Sequence, residues 1–204
     1  IQPLLARSEG IRGPDRMTSG TVMLIAAQEL RRHGHNNEAL ECLERALEWS
    51  SSIPTDDPRT DWLRTFRPQV LYQKGSLQQK LGSAGANAGL RQALEEFEAW
   101  AEADPFNLTA LGLLGAIYAR LGETPIAREL SDSLGNLDRP YLRGQHTYAR
   151  ARIAALLGER GEAVRLLWQS VGEGVSFGVV MHSDPDLEPL HDFPPFQEFI
   201  RPKG

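Results

Sequence analysis

The sequence predicts an all-α protein built from pairs of antiparallel helices. Helix-favouring Ala, Leu, Glu, Arg and Gln recur along the chain, and apolar residues follow a helical rather than an alternating period. Three segments also share one pattern, in which a Gly ends a helix and an Ala follows five residues later. The only strand-like run is Val175 to Met181.

The recurring pattern has a physical explanation in helix termini and helix packing. Gly34, Gly122 and Gly158 are expected to take the left-handed conformation that terminates a helix without steric strain. The small side chains of Ala39, Ala127 and Ala163 then allow the second helix of each pair to approach the first closely. Larger apolar residues at helical spacing fill the remaining space.

The pattern predicts four helix pairs, near residues 20–51, 67–104, 108–136 and 141–173. In the irregular second pair, the first helix runs from about Arg67 to Leu81 and the second ends at Asp104-Pro105. Between them lies the glycine-rich segment 82–89, which lacks the Gly-Lys-Ser/Thr ending of a phosphate-binding loop and is interpreted as a connection.

These residues resemble tetratricopeptide (TPR) repeats. Leu114-Gly115 followed by Tyr118 is similar to the family's first-helix signature, and Gly122 and Ala127 fall where the family has its turn Gly and packing Ala. The spacing of Ala93, Phe97 and Pro105 is similar to the second half of a repeat. The resemblance implies a right-handed α-solenoid of about four TPR-like helix pairs.

The flanking segments have a different character. Residues 1–19 are expected to form a lead-in, 20–173 the repeats, and Ser50 to Asp61 a connecting loop within them. The segment 174–204 is Pro-rich and is predicted to cap the stack with Leu187, Leu190, Phe196 and Phe199, because the last repeat has an exposed apolar side. Its Asp-Pro-Asp-Leu-x-Pro-Leu run resembles the ending of the TPR regions of bacterial serine/threonine kinases, cyclases and related signalling proteins.

Charge and hydropathy exclude several classes of partner. A net charge of -5 argues against a nucleic-acid-binding protein, which usually carries a basic face. No apolar run approaches the ~20 residues that cross a bilayer, and no signal peptide is visible. The chain starts at Ile1 rather than Met, so an upstream part is expected. A cytoplasmic location is predicted, or an extracytoplasmic one if an upstream membrane anchor precedes the chain.

The sequence predicts no enzyme, no cofactor and no metal site. The single cysteine, Cys42, is expected to be a buried structural thiol. His182, Asp184 and Asp186 alternate as metal ligands sometimes do, but the two aspartates are better explained as caps of the short helix that follows. No Gly-x-Ser-x-Gly motif or catalytic triad is present.

Alignment of the turn glycines predicts which residues line the concave groove of a TPR stack. The predicted peptide-binding residues lie on the first helix of three pairs: Gln28, Arg31, Tyr72, Gln73, Ser76, Gln145, Tyr148 and Arg152. Chaperone-binding TPR domains hold a terminal carboxylate with Lys and Asn, which are absent at these positions. The groove predicted here is rich in aromatic and amide groups, with two arginines to contact anions.

Three functions are therefore weighed. The leading one is a non-catalytic protein–protein interaction or scaffolding module of a larger bacterial signalling protein, binding a peptide or a helix in its groove. A structural subunit of a multiprotein assembly would instead use the loops 51–61 and 82–89 as contacts. A small-molecule-sensing domain would require titratable groups that converge on a pocket, and the sequence alone reveals none.

Overall fold

The computed structural model describes residues 15–53 and 62–201, and most of these residues are helical. The α-helices are α1 Asp15–Arg32, α2 Asn36–Ser51, α3 Leu63–Lys80, α4 Ala86–Ala103, α5 Leu108–Leu121, α6 Thr124–Gly135, α7 Gln145–Leu156, α8 Arg160–Gly172, α9 Val179–Ser183 and α10 Pro194–Ile200, with a 3₁₀ turn at Glu188–Leu190. No strand occurs in these residues. The chain divides into two compact units, Ile1–Glu96 and Phe97–Gly204.

Four turns between consecutive helices share one backbone geometry. Gly34, Gly82, Gly122 and Gly158 have φ values of 79°, 67°, 84° and 78°. In each turn the residue after the Gly donates its N–H to the carbonyl five residues earlier, as in Glu123 to Tyr118 and Glu159 to Ala154. This bond satisfies a carbonyl that the helix end leaves without a partner. The predicted left-handed glycines are confirmed.

The small residues after three of these turns are buried. Ala39, Ala127 and Ala163 each have 0% of their surface exposed. Each donates its backbone N–H to the residue directly after the turn Gly, which starts the second helix. The predicted burial of these alanines is therefore confirmed.

The first unit has its core between α1, α2 and α3. Met23, Ala27, Leu43 and Val70 are buried in one apolar cluster, and Cys42 lies there with 2% exposure. The N-terminal part of α4 approaches α3 at glycines, since a Cβ on Gly75 would come within 2.8 Å of the Leu90 side chain. The Cys42 thiol donates to the Met23 carbonyl, and burial raises its pKa, so it is the predicted structural thiol.

In the second unit, α7 packs against both helices of the preceding pair, α5 and α6. Glycines on α5 allow the approach, because a Cβ on Gly115 would lie 2.3 Å from Ile153 and one on Gly112 would lie 3.0 Å from Ala149. Helix α8 then packs on α7. Consecutive helices from α5 to α8 are thus neighbours in space.

The C-terminal segment contributes to the core of the second unit. The buried apolar residues that it adds to α7 and α8 are Val175, Met181, Leu187, Leu190, Phe196 and Phe199. Phe199 packs edge-on against Trp168 of α8, at 5.0 Å between ring centroids. The prolines limit this segment to short helices, as the sequence indicates.

Several boundaries differ from those predicted. The strand-like run Val175 to Met181 is not a strand, since α9 begins at Val179. The glycine-rich segment is only partly a connection, because α4 already begins at Ala86. Helix α2 continues to Ser51, and the rest of the predicted loop, 54–61, lies outside the described residues, as do residues 1–14 of the lead-in. Within the described ranges, no helix is both long and apolar enough to cross a membrane.

Candidate functional site

An aspartate of the C-terminal segment is buried between two arginines of the helices in the second unit. Asp186 has 0% exposure. Arg120, near the end of α5, donates from Nη2 to Asp186 Oδ1 at 2.6 Å and from Nε at 3.2 Å. Arg152, on α7, donates from Nε to Asp186 Oδ2 at 2.9 Å and from Nη2 at 2.5 Å. Each carboxylate oxygen therefore receives two bonds from one guanidinium, a strong charge-assisted arrangement.

The neighbouring acidic residue completes the cluster. The Tyr148 hydroxyl donates to Asp184 Oδ2 at 2.7 Å, and Arg152 Nε lies 3.5 Å from the same oxygen. Asp184 Oδ1 accepts the backbone N–H of Asp186 at 2.9 Å, while Arg120 also donates to the Pro185 carbonyl at 3.1 Å. Together these contacts fix the backbone of the segment 184–186 against α5 and α7.

Burial and neighbouring carboxylates raise the pKa values of two groups in the cluster, Asp184 and Tyr148. Burial raises the pKa of Asp184, Arg152 opposes that rise, and the Asp186 charge adds to it. Burial and the adjacent Asp184 carboxylate raise the pKa of the Tyr148 phenol far above its usual range. Tyr148 therefore stays protonated and acts as a donor at neutral pH.

Two predicted groove residues, Tyr148 and Arg152, are thus brought together, and their ligand is the chain's own acidic segment. Arg120 and Asp186 belong to the same cluster but were not predicted as site residues. Asp186 does not cap the 3₁₀ turn as expected, since the turn has no side-chain cap. The alternating aspartates were a visible signal, but nothing local indicates which arginines they reach 34 and 66 residues away.

The third predicted residue on α7, Gln145, is exposed at the N-terminus of the helix. Nearby, Thr147 donates to Glu173 Oε2 at 2.5 Å and Gln169 donates to Glu173 Oε1 at 2.7 Å. Burial works to raise the pKa of Glu173, but these two bonds and the nearby His146 and Arg150 hold it below its usual value. The contact links the start of α7 to the end of α8.

In the first unit, the predicted residues are more buried than a binding face requires. Arg31 has 9% exposure, Tyr72 3% and Ser76 1%. Arg31 Nη1 donates to Ser76 Oγ at 2.9 Å, and Ser76 Oγ donates to the Gln73 carbonyl at 3.0 Å, so α1 and α3 are joined here. Gln28 is exposed and Gln73 is half-buried. Contact of these residues with a partner stays a prediction.

No match was found in the comparisons with known proteins. No protein-family model, no curated protein and no solved structure matches the chain. Among residues 15–53 and 62–201, no group of three or more His, Cys, Asp or Glu side chains is placed to hold a metal ion.

Proposed function

We propose that the chain is a non-catalytic protein–protein interaction module built from TPR-like repeats. The four turns with one backbone geometry and the three buried alanines support the repeat assignment. The contact of α7 with both α5 and α6 is the packing that a helix-pair stack requires. In this proposal the stack is a right-handed solenoid, and the C-terminal segment covers its last helix pair.

The observation that carries the proposal is the recognition of segment 184–186 by side chains of successive first helices. Arg120, Tyr148 and Arg152 use charge-assisted and phenolic hydrogen bonds to hold a short acidic stretch. Such groups, presented at helical intervals, are what a groove needs to bind a peptide. In the second unit this surface is engaged by the chain itself, so partner contacts are assigned to the more accessible Gln28, Gln73 and Gln145.

The partner in this proposal is a peptide segment or helix of another protein, and the chain is the scaffolding part of a larger bacterial signalling protein. The amide groups of Gln28 and Gln73 offer both donors and acceptors to a backbone. The buried contact of Arg31 with Ser76 supports the positions of α1 and α3. The proposal assigns the residues no catalytic step.

Site-specific photo-crosslinking tests this function. A photoreactive residue at Gln28, Gln73 or Gln145 should capture one discrete partner in cells, and a synthetic peptide of the captured segment should bind the purified chain. The matched control is Arg91, an exposed residue on α4, a second helix of a pair. Binding of the synthetic peptide should weaken at least about tenfold, or by 1.4 kcal/mol, in Gln28→Ala or Gln73→Ala.

The same experiment separates the alternative function. A structural subunit should crosslink through the exposed connection between α3 and α4, for example from Ser83, and not through the first helices. Equal capture from Gln28 and Arg91, or failure of the peptide to bind, would contradict the groove assignment.

A further inference from the structure

A cleft in the second unit brings together charged side chains that no sequence pattern associates. It lies between α6, α7 and α8 and has a volume of about 180 Å³. Its lining residues are Arg128, Ser131, Asp132, Arg150, Ile153, Ala154, Leu157, Glu159, Glu162 and Leu166. The cleft is distinct from the cluster at Asp186, with which it shares no lining residue.

Most charges of the cleft are already neutralised. Arg128 donates to Glu159 at 2.6 and 3.0 Å, and Arg165 donates to Glu162 at 2.6 and 2.7 Å. Arg128 bonds only to Oε1 of Glu159, whereas Arg165 bonds to both carboxylate oxygens of Glu162. Arg128, Glu159 and Glu162 line the cleft.

Arg150 and Asp132 are the exceptions. Within the described residues neither side chain makes a hydrogen bond or an ion pair, and the Nε of Arg150 is buried without an acceptor. A buried donor of a charged group that lacks an acceptor is costly, and a ligand that supplies the acceptor removes that cost. Glu162 and Glu173 feel the Arg150 charge, which helps to lower the pKa of each, but neither bonds to it.

The position of Arg150 depends on a residue without a side chain. A Cβ on Gly135 would lie 2.9 Å from the Cζ and Nη1 of Arg150. The guanidinium therefore lies over the last residue of α6, where the helix end favours a positive charge. Asp132 is on the same helix three residues earlier. An unpaired cation and an unpaired anion thus line one small cleft without bonding to each other.

The ligand class follows from charge and size. A purely anionic ligand would meet Asp132, Glu159 and Glu162, and a purely cationic one would meet Arg128 and Arg150. A ligand with both charges satisfies Arg150 and Asp132 together. Because a cavity of ~150 Å³ takes a benzene-sized molecule, this cleft takes about six to nine non-hydrogen atoms. Ile153, Ala154, Leu157 and Leu166 supply an apolar wall.

We propose that this cleft binds a free aliphatic α-amino acid, with the carboxylate on Arg150, the ammonium group at Asp132 and the side chain against the apolar wall. This activity goes beyond the proposed protein interaction and does not depend on it. Binding would bridge α6 and α7, so the ligand would stabilise the helix pairs of the second unit by mass action.

Calorimetric titration of the full chain tests the proposal. The probes are L-leucine and L-valine, with 4-methylpentanoate lacking the ammonium group and L-leucinamide lacking the carboxylate. We expect one of the two amino acids to bind in the cleft. Each single-charge analogue should bind in the cleft at least tenfold more weakly than that amino acid. Arg150→Gln and Asp132→Asn should each weaken amino-acid binding at least tenfold, whereas Arg201→Gln, an exposed residue outside the cleft, should not.

Neither side chain makes a hydrogen bond or an ion pair within the described residues, so the melting temperature of Asp132→Asn without ligand should stay near that of the parent chain. Arg150→Gln loses only the longer-range attraction of Glu162 and Glu173, so its melting temperature should fall slightly. No binding of either amino acid at roughly 10 mM would overturn the proposal. Equal affinity for 4-methylpentanoate would also overturn it, since the cleft would then be a simple anion site. Binding of a capped Lys-Glu peptide in place of the amino acids would assign the cleft to a protein partner instead.

Discussion

Asp186 is a charged residue that is fully buried, whereas aspartates usually lie at the surface. A carboxylate without solvent exposure has lost its hydration, and only well-formed bonds from both guanidinium groups offset that loss. Such a pair adds little to stability compared with apolar packing, but removal of one partner leaves unpaired buried charge. Its structural role is therefore to fix where the segment 184–186 lies.

Replacement of this carboxylate should be strongly destabilising. Asp186→Ala removes the carboxylate that accepts four bonds from Arg120 and Arg152, and we expect a loss of about 3–5 kcal/mol in the free energy of unfolding. The matched control is Asp192→Ala, which removes an aspartate that is 81% exposed and ion-paired to Arg160. That variant should lose less than about 1 kcal/mol. Equal urea midpoints for the two variants would show that the buried cluster contributes no more to stability than an exposed ion pair.

The carboxylate of Glu173 should make the folded chain less stable as the pH falls. Its pKa is lower in the folded chain than the ordinary value of 4.5, so its stabilising contribution is present above about pH 4.5 and is lost as pH falls through the folded value. Thr147→Val removes a bond that lowers this pKa. The variant should lose stability at pH 7 and should show a weaker decline in urea midpoint below pH 4.5. A parallel shift of the whole pH profile would refute this assignment.

At the scale of the helix pair, the turn Gly and the buried Ala determine how closely two helices pack. Ala127→Leu or Ala163→Leu inserts a larger side chain at a position with 0% exposure, and each should cost about 1–3 kcal/mol. Ala99→Leu, at an exposed position on α4, is the control and should change stability little. Chemical denaturation of the three variants measures the difference, and unchanged midpoints for both buried sites would contradict the assigned packing.

The helix pairs were predictable because their signals are local. Gly122 and Ala127 lie five residues apart, and apolar periodicity defines the helices between turns. The boundary at Ala86 was less predictable, since Gly89 favours a loop by propensity but lies in a helix, where an added Cβ would be 3.7 Å from the Gly75 Cα. The candidate sites were mostly not predictable. The convergence of Arg120 with Asp186, like that of Arg150 with Asp132, depends on contacts between distant parts of the chain.

At the scale of the whole molecule, the apolar side of α8 must be covered by apolar groups from the same chain or from a partner. The segment after α8 contributes six buried apolar side chains to that unit, including Phe196 at 0% and Phe199 at 1% exposure. It also supplies the acidic residues held by α5 and α7. Its prolines give it the bends needed to place these groups along two helices.

Removal of this segment should therefore lower stability more than any single substitution. A chain ending at Glu173 loses several buried apolar side chains, each worth about 1.5–3 kcal/mol, and exposes Val164 and Leu167 of α8. We expect its melting temperature to fall by roughly 10 °C or more and its solutions to aggregate. A chain ending at Ile200 keeps every buried group of the described residues and should melt like the full chain. If the shorter chain instead melts unchanged and stays monomeric in sedimentation, the segment is no cap and becomes the better candidate for contact with a partner.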